Sequence, residues 1–222
     1  MYNLKHRADE VMAHLTALPQ VQKVTLYGSV AAGTYDVLSD IDIEVDVSGY
    51  DNGRFALELP ALLSGRLPIL YADYAPSLAP DKYIVTFAID EQNPFLTVDL
   101  DCVAVLHCSN VLRQELSSRN TLPTHTLKVW TANLKHFCRG IPCRRDIERM
   151  AVRLGIEDIL HKSELTILGE VLHWLEVHSN AELGTYLQSC RAHYAAYLTT
   201  CAEESPGSQR RSQDFWFFEN NA

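Results

Sequence analysis

Residues 27–43 read YGSVAAGTYDVLSDIDI, and this stretch decides how the rest of the chain is interpreted. Asp40 and Asp42 alternate with isoleucines at its end, in a pattern that predicts a half-buried strand over residues 39–47. The two carboxylates would then share one face, with Cα atoms roughly 6.5 Å apart. Left alone in a semi-buried site, they would repel each other and one would take up a proton.

A divalent cation would remove that conflict, because carboxylates completed by substrate phosphates and water are a common setting for Mg²⁺. The segment before the pair contains Gly28, Ser29 and Gly33. Glycines let the backbone approach a phosphate closely, and a serine hydroxyl and main-chain N–H groups can bind its oxygens. Together the two elements predict one nucleotide site. Each alone has a simpler interpretation, a turn for the glycines and the solvated face of a strand for the carboxylates.

Composition restricts the class of protein. The chain has 222 residues and a net charge of −9, which argues against nucleic acid as its main partner, since phosphate contacts need basic patches. No apolar run approaches the roughly 20 residues needed to cross a membrane, and the N-terminal residues lack a signal-peptide core. The six cysteines include no CxxC pair and are interpreted as free thiols. These features predict a cytoplasmic protein.

Hydrophobic periodicity changes along the chain. In the first half of the chain, apolar and polar residues mostly alternate, as in strands. The exceptions are a first helix that ends at Pro19, a short turn or helix in residues 30–35 and a helix over 54–64. Further strands of this half are predicted over 23–27, 68–74, 82–90 and 95–106. Helices are then predicted over about 109–118, 123–138, 144–154, 163–178 and 180–203. We therefore expect an α+β domain over 1–120 with a mixed or antiparallel sheet, a helical domain over 121–203, and a mobile tail over 204–222 anchored by four aromatic residues.

The stretch resembles the sequence pattern of the polymerase-β-type nucleotidyltransferase superfamily. That pattern begins with an apolar residue, Gly, and Gly or Ser, and has another Gly after three further residues. After five more residues come Ser and Asp, then an apolar residue, a second Asp and another apolar residue. The residues that match it position by position are Gly28, Ser29, Gly33, Ser39, Asp40 and Asp42. The resemblance implies a nucleotidyltransferase-type mixed sheet with flanking helices. It also implies that the two aspartates bind Mg²⁺ and a nucleoside triphosphate, and that the glycines and serines belong to the nucleotide site.

In this superfamily a third carboxylate on a later strand completes the site and acts as a base toward the acceptor hydroxyl. Asp99 and Asp101 are both candidates, since they too are two residues apart; Asp101 is slightly preferred, as a third metal ligand, because it lies deeper in its apolar run. The segment LKVWTANLKHF at 127–137 is similar to a helix of template-independent members in which a lysine meets the triphosphate. Lys128 would be that lysine, and Lys135 lies on the same helix face.

The resemblance implies a Mg²⁺-dependent enzyme that moves a nucleoside monophosphate, AMP from ATP, to an acceptor hydroxyl and releases pyrophosphate. The acidic chain and appended helical domain resemble the aminoglycoside and lincosamide antibiotic nucleotidyltransferases, so we expect a small-molecule acceptor, with a cationic one suiting the negative charge. Two alternatives stay open: a protein-AMPylating enzyme of the toxin–antitoxin kind, and a non-catalytic nucleotide-binding module. A homodimer is also expected to be possible, because a second subunit would offer a surface on which the aromatic residues of the tail could pack.

Overall fold

The computed structural model describes residues 4–75, 82–104 and 111–203, and for residues 113 and 199–203 it describes the backbone alone. Five strands form one mixed sheet in the order β1-β2-β5-β4-β3. The strands are β1 Lys23–Tyr27, β2 Ile41–Asp46, β3 Tyr71–Ala75, β4 Lys82–Ala88 and β5 Thr97–Val103. β2 and β5 run parallel, whereas the other three neighbouring pairs are antiparallel.

Helices flank this sheet and make up the second half of the chain. They are α1 Leu4–Thr16, α2 Gly28–Ala32, α3 Asn52–Leu63, α4 Arg113–Ser117, α5 Leu122–Cys138, α6 Arg144–Arg153, α7 Glu164–His178 and α8 Gly184–Glu203. Two short 3₁₀ turns, Ile159–His161 and Ala181–Leu183, precede α7 and α8. The side chain of Thr121 caps α5 by accepting a hydrogen bond from the backbone N–H of Thr124.

One face of the sheet is apolar and carries the first core. Ile41, Ile43 and Val45 of β2 are fully buried on this face, as the alternation of the sequence predicts. They pack in one cluster with residues of α1, α3 and β5, including Val11, Phe55 and Leu100. The alternate residues of the same strands therefore point to the opposite face, where the carboxylates lie.

The second core joins the four long helices of the C-terminal half. Its largest member, Trp130 of α5, is fully buried and donates its indole N–H to the carbonyl of Leu168 in α7 over 2.8 Å. The same cluster includes Tyr71, Ala88 and Phe95 from the sheet-forming part. The boundary predicted near residue 120 falls between α4 and α5, but this core extends across it, so the division into two domains stays a prediction.

The predicted fold class, an α+β mixed sheet with flanking helices followed by C-terminal helices, is confirmed. Local differences concern the ends of elements: the small-residue segment forms a helix that begins earlier, at Gly28, and β5 is shorter than the run predicted over 95–106. The predicted helix over 109–118 is observed as α4, with residues 109 and 110 outside the described part. The tail over 204–222, with its aromatic anchor, also lies outside it. Across the described residues, no helix is both long and apolar enough to cross a membrane.

Candidate active site

The register of the sheet brings polar side chains from all five strands into one row on its second face. Neighbouring strands pair Tyr27 with Asp42, Asp42 with Asp99, Asp99 with Thr86, and Thr86 with Asp73. Side chains of directly paired residues point to the same side of a sheet, with strands about 4.8 Å apart. The carboxylates of Asp42 and Asp99 are therefore immediate neighbours at the centre of this row, which we call the carboxylate row.

The electrostatics of the row reflect this crowding. Burial, together with the negative charges of Asp40 and Asp99, raises the pKa of Asp42 from 3.8 to about 6. Burial is also the main reason that the pKa of Asp99 is raised, although a hydrogen bond from the Thr86 hydroxyl opposes it. Two neighbouring carboxylates whose pKa values are both raised form a site that favours a bound cation.

Asp101, the slightly preferred candidate for the third carboxylate, lies one row away. It pairs in register with Glu44 rather than with Asp42. It is buried, as expected from its position in the apolar run, but its carboxylate is 2.7 Å from the ammonium group of Lys82. Its charge is thus already paired within the protein, and the geometry favours Asp99 as the neighbour of Asp42.

Gly28 touches the carboxylate row directly. A Cβ atom at this position would lie 2.0 Å from a carboxylate oxygen of Asp42, and the backbone has a φ of +66°. Only glycine fits both conditions without moving Asp42. Gly33 has a similar φ of +69° at the C-terminal end of α2, but a Cβ there would meet nothing within 4 Å. Gly33 therefore serves the turn, whereas Gly28 also makes room for the site.

The two serines of the pattern have different surroundings. Ser29 is the second residue of α2, directly after Gly28 at the end of β1. Ser39 is buried, and its hydroxyl donates to the Asp36 carboxylate over 2.9 Å and accepts from the backbone N–H of Asp36. Arg139 binds the same carboxylate with two nitrogens. The hydroxyl of Ser39 thus shapes the turn that leads to Asp40.

Helix α5 crosses the strands above this face and supplies basic side chains. His125 and Lys128 contact Asp73 at the β3 edge, with distances of 2.9 Å from Nδ1 and 3.4 Å from Nζ. At the other end, Lys135 Nζ lies 3.0 Å from Asp40. Ten residues of helix span about 15 Å, which matches the roughly 14 Å across three strand spacings. The helix therefore reaches from β3 to the start of β2.

Asp73 is the site residue that sequence reasoning missed. It is 1% exposed, and burial alone would raise its pKa, but the hydrogen bond with His125 and the charge of Lys128 keep the pKa below its usual value. Its signal in the sequence is a single acid within the otherwise apolar segment YADYA of β3. The same signal, an acid inside an apolar strand, singled out Asp99.

The donor set fits a divalent cation that also binds substrate. Asp40, Asp42 and Asp99 offer carboxylate oxygens, which Mg²⁺ prefers. Within the described ranges, no group of three or more His, Cys, Asp or Glu side chains is arranged to hold a metal ion by itself. An ion bound by these carboxylates would take its remaining ligands from nucleotide phosphates and water.

Comparison with known proteins gives a partial match. Residues 10–93 match the family model described as a nucleotidyltransferase domain, a range that includes Gly28, Asp40 and Asp42 but ends before β5. Among solved structures, the chain is similar to one described as the structure of the GLD-2/RNP-8 complex. The sequence identity is 16%, the TM-score is 0.34, and the match covers 93% of this chain and 67% of that chain. No curated protein sequence matches the chain. The family match supports nucleotidyl transfer in general.

Replacing Gly28 by alanine should disturb Asp42 specifically. Gly28→Ala and Gly33→Ala both place a side chain at a left-handed φ, which costs roughly 1–2 kcal/mol of stability in each case. Only the Gly28 variant also forces the Asp42 carboxylate to move, so the pKa of Asp42 should shift away from about 6 in that variant alone. Carboxyl-carbon NMR titration measures this pKa. An unchanged Asp42 titration in Gly28→Ala would contradict the contact.

Asp42→Asn should stabilise the protein at neutral pH. In the folded chain Asp42 keeps its proton up to about pH 6, whereas in the unfolded chain it loses the proton near its ordinary value of 3.8. The unfolded state therefore binds fewer protons in this window, and the contribution of Asp42 to the free energy of unfolding falls as the pH rises. The neutral asparagine removes this loss.

The difference in Tm between Asp42→Asn and the parent should be positive at pH 7.5 and shrink toward zero near pH 4. A gain of about 1 kcal/mol corresponds to about 2–4 °C for a chain of this size. Glu44→Gln, at an exposed position two residues further along β2, is the matched control and should show no such gain. Equal Tm shifts for both variants would show that Asp42 carries no special repulsion.

Proposed function

We propose that the chain is a Mg²⁺-dependent nucleotidyltransferase that transfers AMP from ATP to a hydroxyl group of a small acceptor and releases pyrophosphate. The observation that carries this proposal is the pairing of Asp42 with Asp99 in adjacent parallel strands, beside Asp40 and against Gly28. In the proposed reaction a bond forms between the acceptor oxygen and the α-phosphorus. The bond from that phosphorus to pyrophosphate breaks, and the acceptor proton passes to a carboxylate.

The carboxylates divide the work in this proposal. Asp40, Asp42 and Asp99 would hold Mg²⁺, which neutralises triphosphate charge and assists activation of the hydroxyl when it is bound. Asp99 is the proposed acceptor of the proton, because it is the carboxylate directly opposite Asp42 on the neighbouring strand. Asp101 remains the alternative, although its ion pair with Lys82 counts against it.

The nucleotide would lie between the start of α2 and helix α5. Gly28 lets the phosphates approach, and Ser29 follows it with a hydroxyl and a backbone N–H group. Lys128 lines the β3 end of the same face, where its charge would offset that of the triphosphate, and His125 lies beside it. Preorganised cations and dipoles of this kind contribute most of the rate in phosphoryl transfer.

A cationic acceptor such as an aminoglycoside fits the charge of the site. Glu44 is exposed on the same face as Asp42 and one row further along β2, and the whole chain has a net charge of −9. An amine-bearing acceptor would be attracted to this side of the carboxylate row. The proposal therefore includes aminoglycoside and lincosamide antibiotics as acceptors, with protein side chains as the alternative acceptors.

The direct test is a pyrophosphate-release screen with ATP and Mg²⁺ across aminoglycosides, lincosamides and protein extracts. We expect release that depends on one class of acceptor and falls at least about 100-fold in Asp42→Asn, the range for losing a group that acts in the transition state. Binding of ATP without release for any acceptor would instead favour a non-catalytic module. Release that is equal in Asp42→Asn and the parent would refute the site.

The same assay decides between the two candidates for the third carboxylate. Asp99→Asn should lower kcat by about 100-fold or more. Asp101→Asn should change kcat only a few-fold, because Asp101 lies opposite Glu44 in the sheet, one row away from Asp42, and forms an ion pair with Lys82. Circular dichroism and Tm measurements confirm that both variants are folded. The reverse order of effects would assign the role to Asp101.

A further inference from the structure

Lys135 is a buried cation beside the carboxylates, and the proposed reaction gives it no role. Its side chain is 7% exposed, and its ammonium nitrogen lies 3.0 Å from a carboxylate oxygen of Asp40. Lysine is almost never buried unless it is paired, because removing an ammonium group from water is costly. The position of Lys135 therefore depends on the negative charge of this site.

The charge of Lys135 also acts on the carboxylate row. Burial raises the pKa values of Asp42 and Asp99, and the positive charge of Lys135 works in the opposite direction on both. The ammonium group thus acts electrostatically on three carboxylates at once, although it contacts Asp40. A divalent cation held by the same carboxylates would lie within a few ångströms of it and would be repelled.

The ammonium group is held in place by its helix. α5 is fixed in the second core through Trp130, whose indole N–H is bonded to Leu168 of α7. Four residues after Lys135, Arg139 holds Asp36 at the start of the turn that leads to Asp40. Because α5 is held in place, the backbone of Lys135 stays beside the site. An ion that binds the Asp40 oxygen must therefore either displace the Lys135 ammonium group or lie next to it.

We propose that Lys135 is the resident counter-ion of the carboxylate site and that a divalent cation competes with its ammonium group for Asp40. This inference rests on the proposed function, because it concerns the same metal-binding carboxylates. It predicts a weak affinity for free divalent ions in the absence of nucleotide. The metal would then enter effectively only together with triphosphate, whose oxygens supply the remaining ligands and additional negative charge.

A purely structural role would have a different consequence. Lys135 could simply fasten α5 to the turn before β2, but the bidentate contact of Arg139 with Asp36 already makes that connection. Loss of a structural contact would lower Tm without tightening metal binding. Loss of a competing cation would tighten metal binding whatever its effect on Tm.

The test is a titration of the nucleotide-free full chain with Mn²⁺, followed by electron paramagnetic resonance of the free ion. Lys135→Met and the milder Lys135→Gln should each bind Mn²⁺ at least about tenfold more tightly than the parent, because a like charge next to the ion is removed. Lys135→Arg keeps the charge and should stay close to the parent. Lys5→Met, on the exposed side of α1, makes the same change in net charge and should have no effect.

The outcomes separate this inference from the proposed function. Tight Mn²⁺ binding by the parent that is unchanged in Lys135→Met and Lys135→Gln would overturn the counter-ion role and leave the metal site intact. Mn²⁺ binding by Lys135→Met that persists when Asp42→Asn is added would place the ion elsewhere and also overturn it. Absence of Mn²⁺ binding in all variants, together with absence of pyrophosphate release, would overturn both proposals.

Discussion

The site depends on the register between two parallel strands. β2 and β5 lie side by side so that Asp42 is opposite Asp99, and a shift by one residue would turn one of these side chains into the apolar core. The fully buried residues Ile43 and Leu100, which alternate with the acids, prevent that shift. The hydrophobic effect that closes the core thus also holds two like charges together on the opposite face.

This repulsion has to be offset by charges from elsewhere in the chain. Helix α5 provides them at both ends of its crossing, with Lys128 on Asp73 and Lys135 on Asp40. The helix in turn is fixed by packing of Trp130 against α7. The C-terminal helices therefore serve the site through the helix they hold in place. Asp42 and Asp99 nevertheless keep raised pKa values, so the offset is incomplete and a cation is still favoured.

Much of this arrangement could be predicted from the sequence, because it rests on local patterns. The alternation around Asp40 and Asp42, the glycines before them and the helical period from about residue 109 onward identify the elements and the candidate acids. The choice between Asp99 and Asp101 could not be predicted, since both occupy the same face and only the register with β2 separates them. Asp73 was missed for the same reason: its partners lie 52 and 55 residues away on α5.

The most direct test of the central claim is anomalous diffraction from crystals grown with Mn²⁺ and a non-hydrolysable ATP analogue. The account predicts a manganese peak within coordination distance of Asp42 and Asp99, with phosphate oxygens of the analogue next to Gly28. A peak between Glu44 and Asp101, or a nucleotide bound with no ion at the carboxylate row, would contradict it.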